Sequence, residues 1–318
     1  MQYPQIEEII RCPECHGRLN LELPSAITCI GCGASYPVVN GIPILLHKDS
    51  AFAPEQVVIS RETYFASSVF ENRLKRKIRR NLPSLATEYN SRDVDQLIHK
   101  ELPAQSSPLS GLVIGTGEKA GAISERFPNV NWLMTDVDLS YRPQLIADTV
   151  GLPIADASFD VVVAEMVLEH VMNITQAALE LQRVCKLGGL IVVKVPFCFP
   201  WHGVPVDFFR CTPSGLRALF RSSETVYLGK CMGAWGALAY QLDSLVVNAT
   251  SIRYLRVCAA FFSRFLFGYL KWLDQLSSNK SCLITTAGIT FVGRKKKDSF
   301  TPREVLQELQ QLFGSGQV

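Results

Sequence analysis

Four cysteines near the N-terminus have the spacing of a metal site. Cys12 and Cys15 form one Cys-x-x-Cys pair, and Cys29 and Cys32 form a second pair after 13 intervening residues. The two-residue gap lets both thiolates of a pair reach one ion, and four thiolates complete the tetrahedron that Zn²⁺ prefers. Because no coordination position stays open, we expect a structural zinc ion. The alternative is a cluster of core thiols without metal.

A second group of residues has the types needed to hold a nucleotide-like ligand. Gly115, Thr116 and Gly117 follow a short apolar run and precede a predicted helix. Glycine lets the backbone approach a ligand closely, and the amides at a helix start favour a carboxylate or phosphate. A Gly-x-Gly turn also joins strands to helices in proteins that bind nothing there, so the neighbouring elements must decide.

Four apolar segments position these residues, and polar side chains follow each of them. We predict strands at 112–114, 131–138 and 145–148, and a fourth within 159–171 that runs into a helix. In an open parallel sheet the carboxyl ends of the strands line the ligand crevice. Asp136, Asp148 and Glu165 are therefore expected to face one pocket.

These motifs, with their order and spacing, resemble the class I S-adenosylmethionine-dependent methyltransferases of the type 11 group. The motifs are GTG (115–117), TDVD (135–138), VLEHV (167–171) and ELQRVCKLGGLIVVKVPF (180–197). The resemblance covers residues 111 to about 220. It implies an α/β fold with a Rossmann-like seven-stranded methyltransferase sheet, helices on both faces and an antiparallel seventh strand.

The resemblance also implies where S-adenosylmethionine would be held. Gly115, Thr116 and Gly117 would line its methionine part. Asp136 would accept hydrogen bonds from both ribose hydroxyls, because a carboxylate has two acceptor oxygens and no donor. Asp138 is the alternative if the strand ends two residues later.

The adenine end is implied in the same way. Asp148 and the backbone of Thr149 would contact the adenine amino edge, and Glu165 with Met166 would close the pocket floor. The chain departs from the family in two places. Val113 stands where many relatives carry an acidic residue, and the third glycine of the glycine-rich turn comes later in the sequence than in those relatives.

The loop WHGVPVDFFR (201–210) supplies the candidate catalytic residues His202, Asp207 and Arg210. It resembles a His-x-x-Pro-x-Asp-aromatic-x-Arg-x-Thr stretch that a subset of the family carries after the fifth strand. His202 is expected to be the base, or Asp207 to orient it. The alternative is a structural ion pair between Asp207 and Arg210, with His202 merely packed. His170 is expected near the cofactor at a helix start.

Two flanking regions extend this domain. Residues 8–47 are similar to the small zinc-ribbon proteins that activate tRNA and rRNA methyltransferases, and an Asn40-Gly41 turn supports a small ribbon. Downstream, we predict a helix over 253–275 with five charges on one narrow arc and apolar residues elsewhere. That pattern suits a helix in the membrane interface, and equally a packed lid or dimer surface.

The 318 residues are predicted to divide into a zinc ribbon (1–47), a helical linker (48–108), a methyltransferase domain (109–300) with a helical insertion at about 234–280, and a C-terminal helix (301–318). A net charge of +3 does not demand a nucleic-acid partner. A basic run at 73–80 would be a solvated helix face, or a contact to RNA phosphate or to anionic lipid headgroups. Since 1–12 lack a secretory pattern, we expect a cytoplasmic protein, with peripheral contact at the inner membrane face through 253–275.

The predicted function is methyl transfer from S-adenosylmethionine to a small-molecule, sugar or lipid-linked acceptor. One alternative is an rRNA or tRNA methyltransferase, which the ribbon and the basic run favour. Against this alternative, the sequence lacks an Asn-Pro-Pro-Tyr-like motif for methyl transfer to a base amine. A second alternative is a scaffold that keeps the fold without the cofactor.

Overall fold

The computed structural model describes residues 6–21, 26–52, 84–85, 91–102, 108–117, 120–203, 206–276 and 283–313. The basic run at 73–80 and most of the predicted linker lie outside these residues. The strands are β1 (Leu19–Asn20), β2 (Ala26–Cys29), β3 (Ser35–Val39), β4 (Ile42–Pro43), β5 (Leu109–Ile114), β6 (Val130–Asp136), β7 (Leu145–Ile146), β8 (Phe159–Glu165), β9 (Cys185–Pro196), β10 (Ser223–Met232) and β11 (Gly288–Lys295). The helices are α1 (Ile6–Ile9), α2 (Ser91–Glu101), α3 (Ala120–Arg126), α4 (Ile174–Val184), α5 (Pro213–Leu219), α6 (Ala234–Asn248), α7 (Arg253–Phe267), α8 (Leu270–Leu273) and α9 (Pro302–Phe313).

A seven-stranded mixed sheet forms the centre of the fold, with the strand order β10-β11-β9-β8-β5-β6-β7. The five strands from β9 to β7 are parallel, while β11 pairs antiparallel with both β9 and β10. This is the Rossmann-like methyltransferase fold, so the predicted fold class and the antiparallel last strand are confirmed. From β5 the chain adds β6 and β7 on one side of the sheet and then β8 and β9 on the other. The switch point between β5 and β8 is where such sheets bind ligands.

Alternating residues of β5 show how the sheet is buried on both faces. Leu112 and Ile114 join the hydrophobic cluster that α4 and α5 cover, whereas Leu109 and Val113 join the cluster that α2 and α3 cover. A strand buried on both sides needs a nearly continuous apolar sequence, since its side chains alternate between two cores. The predicted helices on both faces are therefore present.

The N-terminal module is a four-stranded antiparallel sheet that packs against the edge of the large sheet. Its strands follow the order β1-β2-β3-β4, and Asn40 and Gly41 both have positive φ, as the predicted hairpin turn requires. Ile44 forms a parallel bridge to Ile146 of β7. Ile10 shares the large hydrophobic cluster with the central strands. The two sheets thus share one core.

The C-terminal insertion is a helical hairpin, and here the predicted helix over 253–275 was wrong in length. α7 ends at Phe267, with Gly268 as its C-cap, and the short α8 follows. Asp274 does not belong to a solvent-facing stripe. It is fully buried and accepts hydrogen bonds from the amides of Trp235 and Gly236 at the start of α6. A helix whose N-cap is glycine leaves these donors unsatisfied, so a carboxylate from elsewhere is stabilised there. No helix within the described ranges is long and apolar enough to cross a bilayer.

The last helix, α9, packs against α5 through one buried cation. Thr301 and Glu304 form the predicted capping box, in which each backbone amide bonds the other side chain. Arg217 of α5 has no solvent exposure and donates three hydrogen bonds to the carboxylate of Glu308 on α9. The C-terminal helix is therefore fixed to the domain by an ion pair.

Candidate functional site

A cavity of about 340 Å³ opens at the carboxyl ends of β5, β6 and β8. Ile114, Asp136 and Met166 line it at the ends of those three strands. Its volume lies within the range of small-molecule sites in proteins. The topological switch point of the sheet therefore carries a real concavity.

The glycine turn forms one wall of the cavity. Gly115 and Gly117 both have positive φ, which residues with a Cβ adopt only with strain. A Cβ on Gly115 would also lie 2.4 Å from Cγ2 of Val167. Thr116 is not among the residues that line the cavity, and its hydroxyl donates to Asp136 at 3.2 Å. Of the three residues predicted here, the two glycines form the wall and the threonine supports it.

Asp136 organises this wall. One carboxylate oxygen accepts from the Gly117 amide at 3.0 Å and the other from the Asp138 amide at 2.9 Å. Burial raises the pKa of Asp136, while the hydrogen bonds from Gly117, Asp138 and Thr116 favour its charged form. Asp138 instead caps the short turn after it by accepting from the Ser140 amide at 2.8 Å, and it does not line the cavity. The geometry favours Asp136 over Asp138 as the acidic group that faces a ligand.

Two residues of the segment that we assigned to the linker contribute to the part of the cavity predicted to hold the adenine. Asp148 and Thr149 line the cavity, as does the ring of Phe52. The Ser50 hydroxyl donates to the Asp148 carboxylate at 2.6 Å. Neither Ser50 nor Phe52 could be predicted from the sequence, because 98 positions separate Ser50 from Asp148 and neither residue belongs to a motif.

Glu165 lies apart from the cavity lining, contrary to the expectation that it closes the floor. Its carboxylate is 3.0 Å from Lys194 Nζ and 3.2 Å from Arg126 Nη1. Burial opposes its charge, but these two cations together hold the pKa of Glu165 below its usual value. Met166, which has positive φ, lines the cavity in its place.

The loop that follows β9 brings the predicted catalytic residues together at the rim of the cavity. Arg210 binds both carboxylate oxygens of Asp207, and its Nη2 lies 3.3 Å from His202 Nδ1. The Asp207 carboxylate is 3.2 Å from the same His202 nitrogen and accepts from the His202 amide at 2.8 Å. Burial opposes its charge, but Arg210 and His202 hold the pKa of Asp207 below its usual value. The Asp207–Arg210 ion pair of the structural alternative and the His202 ring beside Asp207 of the catalytic prediction are therefore both present.

Within this group, His202 and His170 line the cavity, whereas Asp207 and Arg210 do not. The two imidazole rings meet edge to face with centroids 5.2 Å apart. His170 lies in the short turn after β8, and Glu169 precedes it. The sequence had assigned no role to Glu169, although it stands inside the VLEHV motif.

The four N-terminal cysteines are gathered at one point. The Sγ atoms of Cys12 and Cys32 are 3.7 Å apart, and those of Cys15 and Cys29 are 3.5 Å apart. Four sulfurs at zinc bond lengths stand roughly 3.8 Å from each other. The cluster fits a tetrahedral metal.

Comparison with known proteins adds one observation to this geometry. Residues 114–193 match a methyltransferase domain family. This match spans the glycine turn, Asp136, Asp148 and the His170 turn, which form most of the cavity wall, while Phe52 and His202 lie outside it. Together with the strand order, it supports a class I S-adenosylmethionine-dependent methyltransferase. No curated protein matches the sequence.

Several solved structures are similar in outline. Phosphoethanolamine N-methyltransferase 2 of Haemonchus contortus, in complex with S-adenosyl-L-methionine, is 11% identical with a TM-score of 0.40, covering 64% of this chain and 53% of that one. Geranyl diphosphate C-methyltransferase of Streptomyces coelicolor is 11% identical with a TM-score of 0.39, and the match covers 64% of this chain and 79% of that one. The YcgJ protein of Bacillus subtilis is 12% identical with a TM-score of 0.37, and the match covers 65% of this chain and 100% of that one. At these identities and TM-scores we draw nothing about activity from them.

Proposed function

We propose that the protein is an S-adenosylmethionine-dependent methyltransferase. The observation that supports this best is the position of Asp136, a buried carboxylate that holds the glycine turn and faces a cavity at the switch point of the sheet. A carboxylate at the end of the second parallel strand suits the two hydroxyls of a ribose. The match to a methyltransferase domain over 114–193 supports this class of chemistry.

The cavity residues fit the three parts of the cofactor. The backbone of Gly115 and Gly117 would lie against the methionine part, and Asp136 against the ribose. Asp148 and Phe52 would lie against the adenine, one as a hydrogen-bond acceptor and the other as an apolar ring. When bound, the cofactor supplies a methyl group on a positively charged sulfur.

For the acceptor, the protein's task is mainly positioning. Methyl transfer needs the nucleophile in line with the methyl–sulfur bond, so binding the two reactants side by side provides much of the catalysis. His202 is the cavity-lining group closest to a proton-transfer role, because Asp207 fixes its orientation and Arg210 anchors Asp207. We propose this trio as the acceptor end of the site.

We propose a small-molecule, sugar or lipid-linked acceptor, met at an anionic membrane surface. Support comes from α7 and α8, whose large apolar side chains are exposed: Tyr254 by 75%, Phe262 by 70% and Trp272 by 59%. Arg256 and Lys271 lie on the same helices. Aromatic residues interleaved with cations are typical of helices in a membrane interface.

Vesicle sedimentation tests this surface. Wild-type protein should bind anionic phosphatidylglycerol vesicles, and Phe262→Ser should weaken binding roughly tenfold or more, since burying one such ring contributes about 2 kcal/mol. Leu187→Ser, at an exposed apolar residue of β9, is the matched control. Binding that is equal for both variants would refute the membrane contact. A concentration-dependent dimer sensitive to Phe262→Ser would assign the face to self-association instead.

We also propose that Cys12, Cys15, Cys29 and Cys32 hold one structural Zn²⁺ ion. The paired sulfur distances fit a closed four-sulfur site, and among the described residues the group contains no fifth histidine, cysteine or carboxylate donor. Such an ion would stabilise a module whose short strands offer little core of their own.

The test of the main proposal is calorimetric titration of the zinc-loaded protein with S-adenosylmethionine and S-adenosylhomocysteine. Binding of both ligands at one site per chain is the expected result. If neither binds, the enzyme proposal fails and the non-catalytic scaffold remains. Salt-dependent retention of RNA, steeply lost between low and moderate salt, would favour the RNA-methyltransferase alternative.

A further inference from the structure

Glu169 is a buried carboxylate whose oxygens have no hydrogen-bond partner among the described residues. Its exposed fraction is 1%. Its backbone is held in place, because the amides of Phe208 and Phe209 both donate to its carbonyl oxygen. An ionised carboxylate in such surroundings is strongly destabilised unless a cation lies next to it. The side chain therefore indicates a positive partner.

Two imidazoles face this carboxylate. Oε1 of Glu169 lies 3.6 Å from Nε2 of His202 and 3.8 Å from Nε2 of His170. Both separations are too long for hydrogen bonds. The donor atoms of the three residues all lie within 4.8 Å of one another. One carboxylate oxygen and two ring nitrogens therefore converge on a common point.

The far nitrogen of each ring has an orienting partner. Nδ1 of His170 hydrogen-bonds the carbonyl oxygen of Val206, and Nδ1 of His202 lies between the Asp207 carboxylate at 3.2 Å and Nη2 of Arg210 at 3.3 Å. In the tautomers that carry the proton on Nδ1, toward the carbonyl and the carboxylate, the lone pair of each Nε2 would face the ion, which is how metal-binding histidines are held. Arg210 in turn anchors Asp207.

The separations also suit an ion. Ligand atoms about 2.1 Å from a tetrahedral ion stand roughly 3.4 Å apart. The two Glu169–imidazole distances of 3.6 and 3.8 Å need only a small contraction, and the ligand atoms of the two imidazoles lie within 4.8 Å of each other. Two neutral imidazoles and one carboxylate are a donor set for Zn²⁺ and its first-row neighbours rather than for Mg²⁺ or Ca²⁺. Three protein ligands leave at least one position open.

We propose that Glu169, His170 and His202 bind one first-row divalent transition-metal ion, with an open position toward the cavity that His170 and His202 line. This ion is separate from the zinc of the four cysteines. In this arrangement His202 is a ligand and not a base, and Asp207 is a positioning residue.

The role of the ion deepens the proposed function and rests on it. An acceptor hydroxyl bound at the open position would release its proton to solvent more easily, because the cation stabilises the alkoxide. That oxygen then attacks the methyl carbon. The new C–O bond forms as the C–S bond breaks, and the electron pair stays on sulfur, leaving S-adenosylhomocysteine. The favoured acceptor class is accordingly an oxygen nucleophile.

Cobalt titration tests the site without any cofactor. Co²⁺ is added to full-length protein that already holds one Zn²⁺ per chain. Wild type should bind one further equivalent with a visible d–d band and no thiolate-to-cobalt charge transfer. Glu169→Gln should weaken this binding at least about 100-fold, and Asp207→Asn about 10- to 100-fold. His47→Asn, in an imidazole–carboxylate cluster elsewhere, is the control and should change nothing.

Each outcome decides between two readings. If wild type takes up no second metal, the three residues form an ion pair with a protonated imidazole and the inference fails. Should Glu169→Gln fold poorly, His202→Ala on the half-exposed loop provides the same comparison. Because S-adenosylhomocysteine binding is measured separately, its presence without a cobalt band would refute the metal site alone, and the reverse would refute the proposed function alone.

Discussion

Replacing Asp136 by asparagine is the most discriminating change in the cavity. The substitution keeps the shape of the side chain and removes its charge. One oxygen becomes an NH₂ group, which must then face donors: the Gly117 amide and the Thr116 hydroxyl on one side, or the Asp138 amide on the other. Either orientation leaves at least one buried donor without an acceptor.

The magnitude follows from these contacts. A hydrogen bond to a charged group contributes about 1.5–3 kcal/mol, and Asp136 is almost fully buried, so solvent compensates little. In the proposed complex, both the glycine turn against the cofactor and the ribose contact depend on this carboxylate. A loss of about 3 kcal/mol of binding free energy corresponds to roughly 100-fold in Kd. We expect Asp136→Asn to weaken S-adenosylhomocysteine binding by at least that factor.

Calorimetry with S-adenosylhomocysteine, with unfolding followed in parallel, is the measurement. Asp138→Asn is the matched control: it lies two residues away, is equally buried, and its amide oxygen can still accept from the Ser140 amide. It should change stability by less than about 1 kcal/mol and Kd by less than about tenfold. Normal affinity in Asp136→Asn together with lost affinity in Asp138→Asn would refute the assignment of the ribose contact.

Three further predictions concern stability. Glu308→Ala should lower the free energy of unfolding by about 3 kcal/mol in urea, because it leaves the Arg217 guanidinium buried without its anion. Cys29→Ser should release zinc, measured by a chromogenic chelator, and lower the thermal midpoint. Asp207→Asn should be less stable than wild type at pH 7, and the difference should shrink as the pH falls below about 4. The folded-state pKa of Asp207 is lowered, so its stabilisation is present above the unfolded value and lost as protonation proceeds.

The results that would contradict these predictions are specific. For Glu308→Ala, a change no larger than that of Gln310→Ala, at an exposed position of the same helix, would mean that the ion pair contributes nothing. Unchanged zinc content in Cys29→Ser would exclude the four-cysteine site. A stability difference for Asp207→Asn that persists at pH 2 would show that its effect is not electrostatic.

The fold could be predicted from the sequence because the patterns that specify its strands and turns are local. Apolar runs bounded by glycine and acidic residues mark the parallel strands, and the Gly115 turn marks the start of the crossover. Asp136, Asp148 and Thr149 were placed at the cavity by the same rule, since carboxyl ends of neighbouring parallel strands meet. The rule failed for Glu165, whose neighbours Arg126 and Lys194 come from distant elements and hold its carboxylate away.

What could not be predicted depends on tertiary contacts. No pattern in the sequence links Ser50 to Asp148, or shows that Asp274 would cap a helix that begins 40 residues earlier. Glu169 was overlooked for a related reason. A glutamate in a helix-start motif is ordinarily exposed, and only the folded loop after β9, through Phe208 and His202, encloses it.

The attachment of the ribbon to the cavity makes the two binding events thermodynamically linked. Ser50 reaches Asp148, and Phe52 reaches the cavity, only when the chain after β4 follows the edge of β7. If zinc folds the ribbon and thereby orders this segment, zinc must raise the affinity for the cofactor. By reciprocity, the cofactor must then raise the affinity for zinc by the same factor. Saturating S-adenosylhomocysteine should therefore slow the removal of zinc by a chelator, and the fused ribbon would act as a built-in activator whose own metal occupancy reports whether the cofactor site is filled.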